Sequence, residues 1–415
     1  MSKSDPERQR RIEQLKQVIR GLHEGDHPAH VKQQLAALVR ETTSDEIVAM
    51  ENQLIDEGMD PGEIKSMCDL HSQVMREVLV KPTIPAYPIG HPVDTFLREN
   101  DAVREIVEQM REVTGEIQGL TDESALPPLL EQWREGCEKL LELDKHYARK
   151  ENILFSHLER HGIDGPSQVM WAKDDDIREM LKAFREALTA EGAGLEEWKL
   201  IAEHVVVPLL DAVSEMIYKE ENILLPMALE VLEPEAWGQI HRESRRFGYC
   251  LVKPNLGYVP AESSSYDPAL EAGRAAAIAL GAGQATGAQL QAIFPVLPMD
   301  LTFVDADDRV AFFTEGKDRV FERVPSVIGR KVHNCHPPKS VHIVEKILAS
   351  FRSGEKDVAE FWIQLGPRFV HIRYFAVRSR EGEYLGCLEV TQDLTPLRAL
   401  EGERRLLAWE EEEQA

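Results

Sequence analysis

The chain has 415 residues, 43% hydrophobic and 29% charged, a composition that excludes disorder throughout. At roughly 100–200 residues per domain it must fold as several bodies rather than around one core. With 48 Lys and Arg against 73 Asp and Glu, the formal charge of −25 repels phosphate backbones and anionic lipid, so neither nucleic acid nor a membrane surface is an expected partner.

From Pro6 to Val80 the spacing is helical, with Ile12, Leu15, Ile19 and Leu22 on one stripe and a break at Gly25–Pro28. Residues 6–80 are read as a small all-helical domain. Prolines 82, 85, 88 and 92 remove backbone donors and favour extended chain, so 81–92 reads as a stiff linker. Four long amphipathic stretches follow, 93–118, 127–161, 167–190 and 195–232, with short breaks that make neighbours antiparallel. An up-down four-helix bundle over 92–250 is expected. Within it, Lys150-Glu151-Asn152-Ile153-Leu154-Phe155 is echoed by Glu220-Glu221-Asn222-Ile223-Leu224-Leu225.

Residues 255–290 are rich in Ala, Gly and Ser and read as a linker with one short helix. The period then changes to two. Strands are expected at Asp300–Val304, Val310–Thr314, Val358–Gln364, Phe369–Arg378 and Tyr384–Gln392, with a helix at Ser340–Ser353 between the second and third. This α+β sensor-type arrangement spans 291–395, and a charged helix, Pro396–Glu413, closes the chain within 396–415. The fold class is therefore multidomain. No apolar run reaches the roughly 18 residues of a membrane span. The amino terminus also lacks the apolar stretch of a signal peptide. The five cysteines, Cys68, Cys137, Cys250, Cys335 and Cys387, form no Cys-x-x-Cys pair, so a cytoplasmic protein with reduced thiols is expected.

The bundle segment resembles the hemerythrin-like, His-His-Glu cation-binding family. The residues that carry the likeness are His91-Pro92, His146 to Glu151 with Ile153-Leu154-Phe155, Met170-Trp171 with Asp174, and Lys219-Glu220-Glu221 with Leu224-Leu225-Pro226. The carboxy-terminal segment is similar to a PAS domain, ending in Asp393-Leu394-Thr395. Leu22-His23-Glu24-Gly25 and Cys68-Asp69-Leu70-His71 resemble a bacterial family called domain of unknown function 438, known for this three-part order.

The hemerythrin resemblance implies one or two irons, held by His91, His146, Glu151, Asp174 and Glu220 with help from Asp94 or Glu221. Three positions depart from the family pattern: Lys150 stands where a Glu is expected, and Asp174 and Met216 where the third and fourth helices would supply His. A protonated lysine cannot bind iron, and a thioether is a poor ligand for a hard ferric centre. Lys150 could instead be a built-in cation that neutralises the acids where a metal would sit. Counting residues from the helix-helix turns puts His91 level with Asp174. By the same count His146 and Glu220 fall about eight residues, or about 12 Å, away.

His157 and His161 share a helix face and could chelate, but His161 precedes Gly162 and reads better as a helix C-terminal residue; His204 reads as a core or surface histidine. His333, Cys335 and His336 gather in one loop that could ligate heme iron or sense redox state, although a rigid turn shaped by His336 and Pro337-Pro338 is the expected role. Cys68 and His71, and the cluster His23, His27 and His30, lack structural zinc spacing and are expected at solvated or interface positions. No Gly-x-Gly-x-x-Gly, Walker, Gly-x-Ser-x-Gly or kinase signature occurs.

These features together lead to a cytoplasmic bacterial sensor or regulator. Its bundle would bind iron and respond to O2, NO or redox state, and its PAS module would relay the change to a protein partner or through self-association. Two alternatives stand beside it. One is a diiron redox enzyme acting on NO, O2 or peroxide. The other is a metal-free interaction scaffold in which Lys150 replaces the metal.

Overall fold

The computed structural model describes residues 6–23, 50, 53, 87–190, 192–254, 257–260, 276–280, 282–316 and 319–403. The chain divides into two compact units, one formed by Met1–Ser265 with Arg323–His342, the other by Tyr266–Glu322 with Ile343–Ala415. Of the expected amino-terminal domain, the helix Pro6–His23 is described, with Ile12 and Leu15 buried. Its other expected helices, and His27, His30, Cys68 and His71, lie outside the described residues.

The bundle consists of four rods. The first is Pro92–Gly119, opened by Pro92 at a position where a missing N–H costs nothing and by the His91 ring, whose Nδ1 accepts from the Val93 N–H at 3.2 Å. The second runs from Leu126 to Arg160 with a short interruption after Leu140, the third is Gly165–Leu188, and the fourth runs from Leu195 to Val231. The first and third rods each pack against both the second and the fourth, which closes an up-down ring. Val103, Val107, Trp133, Leu158, Phe184, Leu209 and Val213 fill its interior. The first two rods pack closely at Gly136, where an added Cβ would lie 2.7 Å from Met110 Cγ and Sδ.

Three stretches of the rods are π-helical: Lys150–Leu154, Ala202–Val206 and Glu220–Leu224. The internal echo seen in the sequence is thus a structural repeat, with each Glu-Asn-Ile-Leu forming the same wide turn. Such a turn holds one residue more than an α-turn, which re-aims the side chains around it.

In the second unit, the stretch expected as a linker with one short helix carries a strand pair as well as the helix. Two three-residue strands, β1 (Ala277–Ala279) and β2 (Gln284–Thr286), pair antiparallel, and the helix Gly287–Ile293 follows, capped by the Thr286 hydroxyl. The main sheet is β3 (Asp300–Asp305), β4 (Val310–Phe313), β5 (Val358–Leu365), β6 (Arg368–Arg378) and β7 (Tyr384–Asp393). Its order is β4-β3-β7-β6-β5, with every pairing antiparallel. All five strands were legible from the alternation. Gly386 on β7 has φ 143°, and a Cβ there would meet the Val304 carbonyl oxygen at 2.1 Å, so only glycine lets β7 lie against β3 at this point. Of the expected closing helix, Thr395–Arg398 is helical and 399–403 is not; the rest lies outside the described residues.

Candidate metal centre

His146 and Lys150 are four apart on the second rod and so share its inner face. Lys150 is completely buried. Its ammonium donates to Asp174 Oδ1 on the third rod at 2.9 Å and to Glu220 Oε1 on the fourth at 2.5 Å, and lies 4.4 Å from the centre of the Tyr147 ring. The second carboxylate oxygen of Glu220 is 3.0 Å from His146 Nε2, and His146 Nδ1 is 2.7 Å from Glu99 Oε2 on the first rod. Glu99 also accepts from Arg149 Nη2 and, through Oε1, from the Cys250 N–H at 2.7 Å. Arg149 is sandwiched between the Phe96 and Tyr249 rings at 4.8 and 4.9 Å. Nearer the rim, Glu151 is gripped by a two-pronged Arg178 guanidinium at 2.7 and 3.0 Å.

All four rods therefore converge on a buried ionic network. Both ring nitrogens of His146 face carboxylate oxygens that can only accept, so both must carry protons and the ring is an imidazolium. Burial works against that charge, but Glu220 and Glu99 outweigh it and raise the His146 pKa. The same competition holds at Lys150, where burial opposes the charge and Asp174 and Glu220 raise the pKa above its ordinary value. Glu220, although buried, is held down to about 2 by Lys150 and His146. At Asp174 burial wins, and its pKa rises to about 6 despite Lys150; among the described residues its Oδ2 has no partner. Four cations, His146, Arg149, Lys150 and Arg178, face four buried carboxylates, Glu99, Glu151, Asp174 and Glu220, and Arg178 also meets Asp144 and Asp175 at 2.9 and 3.2 Å. Each buried charge thus has an opposite charge beside it.

These residues do not fit an iron in this arrangement. A metal-binding imidazole must offer a lone pair, and His146 has none to offer. The Glu220 oxygens are taken by Lys150 and His146, the Glu151 oxygens by Arg178, and the ammonium occupies the point where Asp174 and Glu220 meet. Met216 is buried in the core. Among the described residues, no group of three or more His, Cys, Asp or Glu side chains is placed to hold a metal ion.

The structure brings His146, Asp174 and Glu220 together around Lys150, with Glu151 beside them. It places His91 elsewhere, in a cluster with Tyr87, Trp237 and Tyr258 at 4.8 to 5.1 Å, where burial lowers its pKa to about 4. The counting of levels had the opposite outcome in view, and it fails for a physical reason. Counting assumes that neighbouring rods turn back at one level, and the bonds of Lys150 to both Asp174 and Glu220 show that these rods do not. Glu99, Arg149 and Arg178 were not foreseen. The available signal was Glu99, an acid on the otherwise apolar stripe of Phe96, Val103 and Ile106.

The loop of His333, Cys335 and His336 lies in the compact unit of the bundle, not in that of the main sheet. His336 Nδ1 is 2.8 Å from the Val332 carbonyl and the Cys335 thiol 3.6 Å from the Lys331 carbonyl, both within their own turn. That is the rigid-turn role. His161 stands at a helix C-cap and His204 is exposed, as expected of each.

Residues 91–228 match the hemerythrin HHE cation binding domain, 290–395 the PAS domain, and 15–81 the Family of unknown function (DUF438). The chain joins a hemerythrin domain to a PAS domain. Among solved structures, it is similar to the C-terminal domain of a protein from Streptococcus mutans, at 34% identity over 31% of this chain and 99% of that one, with a TM-score of 0.30. A sensory box sensor histidine kinase from Vibrio cholerae shows 14% identity over 26% of this chain and 91% of that one, TM-score 0.21. The sensor region of a sensor histidine kinase shows 14% identity over 24% and 40%, TM-score 0.19. No protein of curated function matches the chain. The presence of hemerythrin and PAS domains in one chain supports a sensory or regulatory role. Among the described residues no helix is long and apolar enough to cross a membrane.

Proposed function

We propose that this chain is a sensory or regulatory protein whose hemerythrin domain works without a metal, as an interaction module held together by an internal cation. The observation that carries this reading is the Lys150 ammonium, completely buried and bonded to Asp174 and Glu220 from two other rods. A buried ion set of this kind adds little net stability over an apolar core, since desolvation offsets most of the attraction, but removing one member leaves a charge uncompensated. It therefore specifies one packing of the rods. By this reading the signal enters through the PAS module and leaves through a protein partner or a second copy of the chain.

The test is direct. The protein is purified from iron-supplemented cells and its metal content and absorption spectrum are measured, with and without NO. The expected result is far less than one iron per chain, no near-ultraviolet oxo-iron band and no spectral response to NO. One or two irons per chain with such a band would return the bundle to the iron-sensor reading, and multiple turnovers of NO, O2 or peroxide to the enzyme.

A further inference from the structure

Residues 323–342 lie inside the span that matches the PAS domain, yet they belong to the compact unit of the bundle. Val324 is buried in the bundle core. Two buried side chains then anchor the segment, while Asn334 and Lys339 reach Asp164 and Glu179 at less buried positions. Ser326 is completely buried: its N–H and hydroxyl both donate to Glu243 Oε2, and its carbonyl accepts from Arg160 Nη2 at 2.8 Å. With its one hydroxyl hydrogen given to Glu243, Ser326 Oγ must accept from His157 Nε2 at 3.2 Å. The second anchor is Arg330, buried, with its Nε and Nη2 on the two oxygens of Glu159 at 2.7 Å each and its guanidinium 5.7 Å from the Trp171 ring centre. The third prong of Arg330, Nη1, donates to the backbone carbonyl of Glu151 at 3.0 Å.

That last bond reaches the π turn Lys150–Leu154. Glu151 follows Lys150 directly, and its own carboxylate is held by Arg178. Arg330 thus pins the backbone of the turn that presents the internal cation to Asp174 and Glu220. A buried guanidinium of this kind cannot leave Glu159 without exposing both charges, so the contact is either made whole or released. Both ends of the segment continue covalently into the other compact unit, at Glu322 and Ile343. Tension in the chain on either side therefore acts directly on these anchors.

We propose that residues 323–342 are a releasable latch, anchored by Ser326 and Arg330, and that its release and the loosening of the Lys150 turn are one event. Arg330 is the positioning residue. This goes beyond the metal-free reading and does not depend on it.

Hydrogen exchange of the full chain in EDTA tests the latch, comparing Arg330→Lys and Glu159→Gln with the unchanged protein. Lysine keeps the charge at 330 but loses the fork; glutamine keeps the shape at 159 but loses the charge. At least tenfold faster exchange is expected in peptides covering 150–160 and in peptides covering 323–335 together, with 103–113 of the first rod unchanged. The reciprocal variant Lys150→Gln should speed 323–335 as well. Faster exchange at 323–335 alone, or at neither segment, would overturn the coupling. Loss of protection everywhere in both variants would overturn the latch itself, because the segment would then be part of the irreducible core. Chelator is present throughout, so a metal content that contradicts the proposed function leaves this result independent.

Discussion

The two π turns Lys150–Leu154 and Glu220–Leu224 share the sequence Glu-Asn-Ile-Leu after their first residue, and their local structure is the same. In each, the asparagine side chain donates to the carbonyl four residues back, Asn152 to Ala148 and Asn222 to Tyr218, both at 2.8 Å. They differ in the residue that opens the turn: Lys150 in one, Glu220 in the other. Those two side chains point at each other and bond. One lysine in place of an acid turns a matched pair of carboxylates, which would demand a cation between them, into a donor and an acceptor that satisfy each other. The backbone of the turn is the same in both copies, and the residue that opens it changes from an acid to an ammonium.

The sharpest way to break the asymmetry is Lys150→Glu, which makes the two turns identical. It sets a third carboxylate against Asp174 and Glu220 around His146, with no ammonium between them. In chelator the loss in denaturant unfolding should exceed the ~3–5 kcal/mol typical of breaking a buried pair, and added divalent metal should restore part of it. Lys150→Met, of similar length without charge, should cost about 3–5 kcal/mol and gain nothing from metal. Equal stability of Lys150→Met and the unchanged protein would mean that the network is ornamental.

pH separates the turns next. Glu220 has a folded pKa of about 2 against an ordinary 4.5, so its contribution is present above 4.5 and disappears as pH falls from there toward 2. Lys150 has a raised pKa, so its contribution is complete below 10.5 and is lost as pH climbs through the raised value. Glu220→Gln should therefore flatten the acid limb of the stability profile by an amount on the order of 3 kcal/mol and leave the alkaline limb to Lys150. A second acid effect belongs to the latch region: burial lowers His157 to about 3, so stability falls as pH drops from 6.5 toward 3, and His157→Gln should reduce that slope. The smallest effects expected are those of Asn152→Ala and Asn222→Ala, about 1 kcal/mol each and equal to one another, since the two side-chain bonds are alike.

The bundle and the five-stranded sheet were legible because both rest on periodicity: the 3.6-residue stripe that buries Val103, Val107 and Met110, and the alternation along β3 to β7. Lys150 was legible as a departure from a motif, and charge alone offered the internal cation as an alternative to iron. What sequence could not supply was distance. Glu99 stands 47 positions from the ring it bonds and Arg330 171 positions from Glu159, and no local pattern encodes such pairings. Spacing also could not show that 323–342 leaves the sheet's unit, because its Pro-rich, mixed composition fits a loop of either body.

Lys150 is joined to the backbone by four methylenes, and that tether has a physiological consequence. A chelator or an iron-starved cell can strip a bound ion from a protein, and a competing zinc or copper can displace it. None of these can remove an ammonium that was made with the chain. The positive charge at the heart of these four rods arrives with translation and stays for the life of the molecule.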